Sequence, residues 1–199
     1  MIEDPPRLVD IEEDRILRLP DQEQSSTWRT LASWAITIAV ALALTLVVKF
    51  WVFQAYSIPS ESMVPTLEID DRVLVSRLNR DPGRGDVMVF RRPANDPKTR
   101  PDDPDVLIKR VIGLPGDVVT ATETGRVVVD GRELDEPYLP TGTFTAIGSP
   151  ITVGAGQYLM LGDNRSRSQD GRFFGTISGD LFVGRAFLRF WPTSRLGGI

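Results

Sequence analysis

The sequence predicts a mainly β protein in which an antiparallel β-sheet domain follows one N-terminal transmembrane helix. Three observations predict this class. A single long apolar segment lies near the N-terminus of the 199-residue chain. The rest consists of short apolar runs separated by turn residues, and the 17 Gly and 15 Pro favour turns over long helices. The spacing of the runs leaves no room for crossover helices, so neighbouring strands are expected to be antiparallel.

Residues 1–29 are predicted to form an acidic, flexible tail. They contain eight acidic residues and four Arg, so they carry the whole net charge of −4. The chain shows no cluster of Lys and Arg interleaved with aromatic residues, and its overall balance is acidic. This composition argues against nucleic acid as a partner.

Nineteen uncharged residues lie between Arg29 and Lys49. At about 1.5 Å per residue, a helix of that length matches the hydrocarbon core of a bilayer. We therefore interpret residues 30–55 as a transmembrane helix with an aromatic belt at its exit, where the Lys49 ammonium can reach the headgroups. The belt residues are Phe50, Trp51, Phe53 and Tyr56.

Two alternatives for this segment are a buried core helix and a cleavable signal peptide. A signal peptide begins with a basic region, whereas here 29 mostly acidic residues come first. An uncleaved anchor is therefore favoured. Basic residues flank the span on both sides, so charge alone does not fix its orientation, and large C-terminal domains translocate largely regardless of charge.

Seven apolar runs after the anchor predict strands, and residues 56–199 are predicted to form one β-rich domain. The runs are residues 72–76, 86–90, 106–112, 117–122, 126–130, 157–161 and 181–190. The dipeptide Asp130-Gly131 is typical of a hairpin turn. Residues 93–104 are rich in Asn, Asp and Pro and predict a polar loop.

The chain contains neither Cys nor His. Disulfides, thiol nucleophiles, the Ser-His-Asp triad and the usual metal ligands are therefore excluded. Any catalysis must use carboxylates, hydroxyls, Lys, Arg or the backbone. We expect no metal and no cofactor.

The segment 56–67 follows the span directly and contains three serines and two prolines. A serine-rich loop of this kind is most simply a turn stabilised by hydroxyl-to-backbone hydrogen bonds. The alternative is a serine nucleophile at the membrane surface. Without His, such a serine needs another base, and a lysine with a lowered pKa is the main candidate.

Only three lysines are available as that base. Lys49 is predicted at the headgroups and Lys98 in the polar loop, so both should stay charged. Lys109 lies in the apolar run 106–112, where burial would lower its pKa by about 2 to 3 units and make the amine a usable base. The alternative is a Lys109 that faces solvent or pairs with an acid.

A third polar cluster spans residues 162–172 and follows an apolar run. It offers a hydroxyl that could orient an amine, and Asp/Arg pairs that could brace a site. It could equally be a polar loop stabilised by Asx turns.

Taken in order, these clusters resemble the sequence motifs of bacterial type I signal peptidases of the compact single-anchor type. Those enzymes are membrane-anchored Ser/Lys proteases that remove signal peptides from exported preproteins. Four motifs carry the resemblance. They are residues 59–67, 84–90, 109–117 and 162–165, the last extended by Ser168 and Asp170.

The resemblance implies a role for each matching residue. Ser62 would be the nucleophile and Lys109 the general base, while the Ser60 hydroxyl and the Ser62 backbone N–H would form the oxyanion hole. Ser168 would hydrogen-bond and orient Lys109. The structural braces would be Arg110, Asp163, Asp170 and Arg172. Ile58, Pro59 and Ile108 would help line apolar pockets for the small substrate residues before the cut.

This chain departs from the family pattern in the last motif. Gly171 stands where the family commonly has Ser, and Ser166-Arg167 replaces a frequent Asp-Asn pair. Neither change removes a proposed catalytic atom. They affect the expected conformation of the loop.

The resemblance implies a serine endopeptidase of the bacterial cell membrane. Its partners would be preproteins with signal peptides and the phospholipid membrane, with the N-terminus cytoplasmic and the catalytic domain extracytoplasmic. Residues 187–192 would be a second lipid-contacting surface or, alternatively, a final core strand. Two other functions are kept as alternatives: a membrane-tethered, non-enzymatic β-domain that binds an envelope partner, and a self-cleaving Ser/Lys repressor-type protease.

Overall fold

The computed structural model describes residues 24–78, 81–97 and 104–199. It divides into two units, residues 1–46 and 47–199. Most of the predicted acidic tail, the predicted loop residues 98–103 and the side chain of Lys49 lie outside what is described.

Helix α1 spans Gln24–Trp51, so it begins six residues earlier than predicted and includes the end of the expected tail. It contains neither Gly nor Pro, and nothing in its sequence interrupts it. The segment Thr27–Val47 has a mean hydropathy of 2.1 and is unburied, which makes α1 long and apolar enough to cross a membrane. Two hydroxyls in the apolar segment are satisfied within the helix, since Thr37 and Thr45 each donate to the carbonyl four residues earlier. This pattern suits a helix in lipid.

Residues after α1 form a β-rich unit, as the sequence predicts. Its strands are β1 Phe53–Ser57, β2 Arg72–Ser76, β3 Val87–Arg91, β4 Val106–Gly113, β5 Val118–Ala121, β6 Val127–Val129, β7 Arg132–Glu133, β8 Ile151–Thr152, β9 Gln157–Leu161, β10 Ile177–Ser178, β11 Phe182–Trp191 and β12 Gly197–Gly198. A short helix α2, Gly171–Phe174, and the 3₁₀ turns Glu61–Met63, Gly179–Leu181 and Thr193–Arg195 complete the unit.

The strands form two antiparallel sheets. The larger has the order β1-β2-β11-β3-β4-β9-β10, with β12 paired to β11, and the smaller has the order β7-β6-β5-β8. The predicted mainly β, antiparallel fold class is confirmed. Strand β4 lies inside the larger sheet between β3 and β9, so its side chains are placed among packed neighbours.

The seven predicted strands all form, and the ends of each lie within one residue of the expected position. The Asp130-Gly131 hairpin is also confirmed, because both residues have positive φ, 50° and 78°, as a type I′ turn requires. Five further strands, β1, β7, β8, β10 and β12, are not predicted by the sequence. Four of these have only two residues, too few for an alternating pattern to identify.

Strand β1 occupies part of the segment interpreted as the exit of the membrane helix. Phe53 and Tyr56 therefore lie on a sheet strand: the Phe53 ring packs 5.7 Å from that of Phe187, and Tyr56 packs against the core. The pairing of β1 with β2 accounts for this placement. Residues 187–191 likewise form the end of β11, in agreement with the core-strand alternative, although Trp191 is half exposed.

The core beneath the site holds side chains from the 3₁₀ turn and from β2, β3, β4 and β11. The buried members are Ile58, Met63, Leu67, Val73, Val75, Val87, Val89, Ile108 and Ala186. The apolar core thus fixes the serine-rich segment against strand β4.

Candidate active site

Ser62 lies in the 3₁₀ turn Glu61–Met63 and is buried. Apolar packing holds this turn, because Met63 and Leu67 are fully buried and the Leu67 N–H donates to the Met63 carbonyl at 2.9 Å. Two prolines, Pro59 and Pro65, flank the turn and restrict its backbone. The hydroxyl is therefore presented by a packed, restricted segment.

Lys109 lies on β4 and is only 3% exposed. Its Nζ is 2.8 Å from Ser62 Oγ, a hydrogen-bonding distance, and it donates to the Ile108 carbonyl at 2.9 Å. Among the described residues, no ion pair includes Lys109. The solvent-facing and acid-paired alternatives for this lysine are therefore wrong, and the predicted burial is confirmed.

Burial lowers the pKa of Lys109 to about 8, because removal from water penalises the charged ammonium. The positive charge of Arg92 adds to the lowering, while the carboxylates of Asp170, Asp163 and Asp96 oppose it. With this pKa, roughly one amine in ten is neutral at pH 7, compared with about one in three thousand for an ordinary lysine. A neutral amine beside a serine hydroxyl can act as a base.

The Ser60 hydroxyl lies 3.3 Å from Ser62 Oγ, and Ser60 is exposed. A donor in this position can reach an oxygen that forms next to Ser62. Its role in an oxyanion hole, together with the Ser62 backbone N–H, stays a prediction.

Ser168 is brought to the site but does not make its predicted hydrogen bond. It is buried, and its Oγ has no hydrogen-bond partner within the described residues. The amine of Lys109 instead contacts Ser62 and the Ile108 carbonyl. Gly162 allows the close packing here, since a Cβ at that position would overlap both Ser168 Oγ and the Ser62 carbonyl oxygen.

The predicted braces Arg110 and Asp163 form a buried ion pair. Arg110 Nε and Nη2 donate to the two carboxylate oxygens of Asp163 at 2.9 and 2.6 Å, and Nη1 donates to the Gly85 carbonyl at 2.7 Å. The Thr66 hydroxyl donates to Asp163 at 2.5 Å. This group ties the nucleophile segment, β4 and the 162–172 loop together.

Asp170 and Arg172 form the second predicted brace. Asp170 caps helix α2, accepts from the Gly162 N–H at 2.9 Å, and pairs with Arg172 Nε at 2.8 Å. Arg172 also donates to the Arg165 carbonyl at 2.7 Å. The loop is thus fixed at both ends, and Gly171 instead of Ser leaves the cap intact.

The residues predicted to line substrate pockets differ in their exposure to solvent. Pro59 is exposed, whereas Ile58 is 2% exposed and Ile108 is 9% exposed, both within the core described above. Backbone hydrogen bonds to Asp70 and Asp71 fix Ile58 in place. In this structure Ile58 is a core side chain, and its part in a substrate pocket stays a prediction.

Sequence reasoning misses several polar residues that support the site. Arg165 stands in the last motif but has no predicted role, and Thr66 lies near the end of the nucleophile motif. Glu136, Tyr138 and Thr145 lie in the connection between β7 and β8, far from any motif. A buried arginine requires hydrogen-bond acceptors, and this requirement is the only signal that could have indicated these polar residues.

In the part of the chain that the structure describes, no group of three or more Asp or Glu side chains is arranged to hold a metal ion. The expectation of a site without metal or cofactor stays a prediction.

The sequence profile of the family described as "Signal peptidase, peptidase S26" matches residues 31–191. The chain belongs to this family. The probable signal peptidase I-2 of Synechocystis sp. is 41% identical over 175 residues, which cover 86% of this chain and 77% of that protein. The signal peptidase I of Leptolyngbya laminosa is 42% identical over 81% of this chain and 80% of that protein. The signal peptidase IB of Staphylococcus aureus is 37% identical over 83% of this chain and 92% of that protein.

The predicted resemblance to type I signal peptidases is therefore confirmed, and the chain is a signal peptidase of the serine protease class, a hydrolase. These relatives support neither the non-enzymatic β-domain nor the repressor-type protease.

Proposed function

We propose that this signal peptidase cleaves N-terminal signal peptides from exported preproteins with Ser62 as nucleophile and Lys109 as general base. The observation that carries the proposal is the 2.8 Å distance between Lys109 Nζ and Ser62 Oγ. The chain contains no His to act in place of Lys109. The lowered pKa of Lys109, about 8, supports a neutral amine at this position.

The first step forms an ester. Neutral Lys109 takes the proton of Ser62 while Oγ attacks the scissile carbonyl carbon, and a tetrahedral intermediate results. The protonated amine then gives its proton to the leaving nitrogen, the C–N bond breaks, and the mature protein departs. Water attacks the remaining ester with Lys109 again as base, which releases the signal peptide and restores Ser62.

The negative oxygen of the intermediate needs hydrogen-bond donors. The Ser60 hydroxyl, 3.3 Å from Ser62 Oγ, and the Ser62 backbone N–H are the proposed donors. A donor of this kind contributes about 3 to 4 kcal/mol in comparable sites.

Substrate selection is proposed to follow the family, with small residues, typically Ala, at the first and third positions before the cut. Pro59 is exposed, which supports a direct contact with the substrate. Ile58 and Ile108 are the other proposed pocket residues, and both are largely buried in this structure.

The proposed location is the bacterial cytoplasmic membrane, crossed once by α1. Its unburied apolar segment Thr27–Val47 supports an anchor that shares the bilayer with the substrate's own signal helix. We place the N-terminus in the cytoplasm and the peptidase unit outside, where the exported preprotein emerges.

The test compares Ser62→Ala and Lys109→Arg with the wild-type chain in detergent, on one purified preprotein. Both variants should lose at least about 10⁴-fold in kcat/KM, because removal of a nucleophile or base leaves only the remaining binding and oxyanion contributions. Lys109→Arg keeps the positive charge but cannot release its proton. Ser149→Ala, an exposed serine before β8, is the matched control and should cleave like wild type. Near-normal cleavage by either site variant would contradict the proposal.

A further inference from the structure

Arg165 lies directly behind the site and is almost completely buried. Its Nε donates to the Gly162 carbonyl at 3.1 Å, and its Nη1 donates to the buried Thr145 hydroxyl at 2.5 Å. Arginine keeps its charge in a protein interior, so a buried guanidinium requires a compensating carboxylate.

Glu136 supplies that carboxylate. Arg165 Nη2 and Nη1 donate to its two oxygens at 2.5 and 3.3 Å, and the side chain of Glu136 is only 9% exposed. The Tyr138 hydroxyl donates to the same carboxylate at 2.7 Å. Among the described residues, Glu136 is the only acid that forms an ion pair with Arg165.

Tyr138 connects the same segment to the second buried arginine of the site. The Arg110 guanidinium stacks over the Tyr138 ring, with its carbon 3.8 Å from the ring centroid. Burial, together with the neighbouring Glu136 carboxylate, raises the pKa of Tyr138, so its hydroxyl stays a hydrogen-bond donor. One short segment thus holds both of these buried arginines.

The loop held by Arg165 touches the nucleophile. The Asn164 backbone N–H donates to the Ser62 carbonyl at 3.1 Å, and the Asn164 side chain donates to the Glu61 carbonyl at 3.1 Å. The Gly162 backbone packs tightly enough against Ser62 and Ser168 to leave no room for a Cβ. A shift of the loop would therefore change the position of Ser62.

We propose that Glu136 is a positioning residue for the reaction: with the Tyr138 hydroxyl it fixes Arg165, and Arg165 fixes the Gly162–Asn164 backbone that holds the Ser62 turn. The inference rests on the proposed function of Ser62 and Lys109. Glu136 touches neither of them, and its effect is expected on the rate of the bound complex rather than on substrate affinity.

The test is Glu136→Gln in the full chain in detergent, which keeps the shape of the side chain but removes its charge. The matched control is Glu133→Gln, whose carboxylate forms an exposed pair with Arg126, the residue before the neighbouring strand β6. At a temperature where all three proteins are folded, we expect Glu136→Gln to lower kcat about tenfold or more while KM changes less than about twofold. Glu133→Gln should match wild type in both constants.

Hydrogen exchange supplies a readout that needs no substrate. The Asn164 amide, which is bonded to the Ser62 carbonyl, should exchange faster in Glu136→Gln than in wild type or Glu133→Gln. If Glu136→Gln does not fold, Tyr138→Phe removes only one donor to Glu136, and it should lower kcat about threefold.

An unchanged kcat in folded Glu136→Gln, or in Tyr138→Phe where the first variant is unfolded, overturns the positioning role and leaves the proposed function intact. A loss of thermal stability with unchanged kcat overturns it in the same way. A wild-type chain that cleaves no preprotein overturns the proposed function, and the positioning role with it.

Discussion

Lys109 and Arg110 are adjacent on β4, both are basic and both are buried, yet their surroundings differ completely. Lys109 contacts a hydroxyl and a carbonyl and forms no ion pair among the described residues. Arg110 is held by both oxygens of Asp163, by the Gly85 carbonyl and by the face of Tyr138. Successive side chains of a strand point to opposite faces of the sheet, so neighbours in sequence can have independent environments.

The difference shows how one strand provides both a base and a brace. An arginine cannot lose its proton, so its burial requires a counter-ion, and Asp163 provides one. A lysine can respond to burial by losing its proton, and without a paired carboxylate burial lowers the pKa of Lys109 to about 8. The surroundings on one side of β4 therefore stabilise the charged form of Arg110, and those on the other side destabilise the charged form of Lys109.

The largest expected effect on stability comes from the Arg110 side. Asp163→Asn leaves Arg110 buried without its counter-ion, and we expect the free energy of unfolding to fall by about 4 kcal/mol. Urea unfolding of the full chain in detergent measures this loss.

Glu133→Gln is the control for that loss, because it breaks an exposed ion pair and should change the free energy of unfolding by less than about 1 kcal/mol. If the two substitutions lowered the free energy of unfolding equally, burial would not make the Arg110–Asp163 pair more important for stability than the exposed Arg126–Glu133 pair.

A smaller, pH-dependent effect is expected on the Lys109 side. The folded pKa of about 8 lies below the unfolded value, so the unfolded chain binds more protons between these values. The contribution of Lys109 to the free energy of unfolding should therefore rise by about 3 kcal/mol in total from about pH 8 to about pH 10.5, and it should be lost again as the pH is lowered from about 10.5 to about 8.

Lys109→Met removes this titration and serves as the reference, since all other groups titrate alike in both chains. The difference in free energy of unfolding between wild type and Lys109→Met should change by that amount across the interval. A difference that stays constant with pH would mean that Lys109 keeps an ordinary pKa.

Much of this arrangement could be predicted from the sequence, because the decisive signals are local. The apolar run around Lys109 predicts a buried strand, and the absence of His leaves lysine as the base for a serine. The seven longer strands are likewise identified from runs of apolar residues that end at turns.

Other features depend on contacts between distant segments and could not be predicted. Glu136 and Arg165 are 29 residues apart, and neither residue type reveals its partner. The burial of Ile58 follows from the packing of β2, β3 and β4 around it. The Ser168 hydroxyl is buried without a hydrogen-bond partner among the described residues. Residue type and spacing alone do not determine these outcomes.

The most direct test of the central claim is the titration of the three lysines by NMR, with their side chains isotopically labelled in the full chain. We expect one lysine resonance to titrate near pH 8 and to disappear in Lys109→Met. Three lysines that all titrate above about pH 10 would contradict the account, because the amine beside Ser62 would then be charged and unable to act as a base.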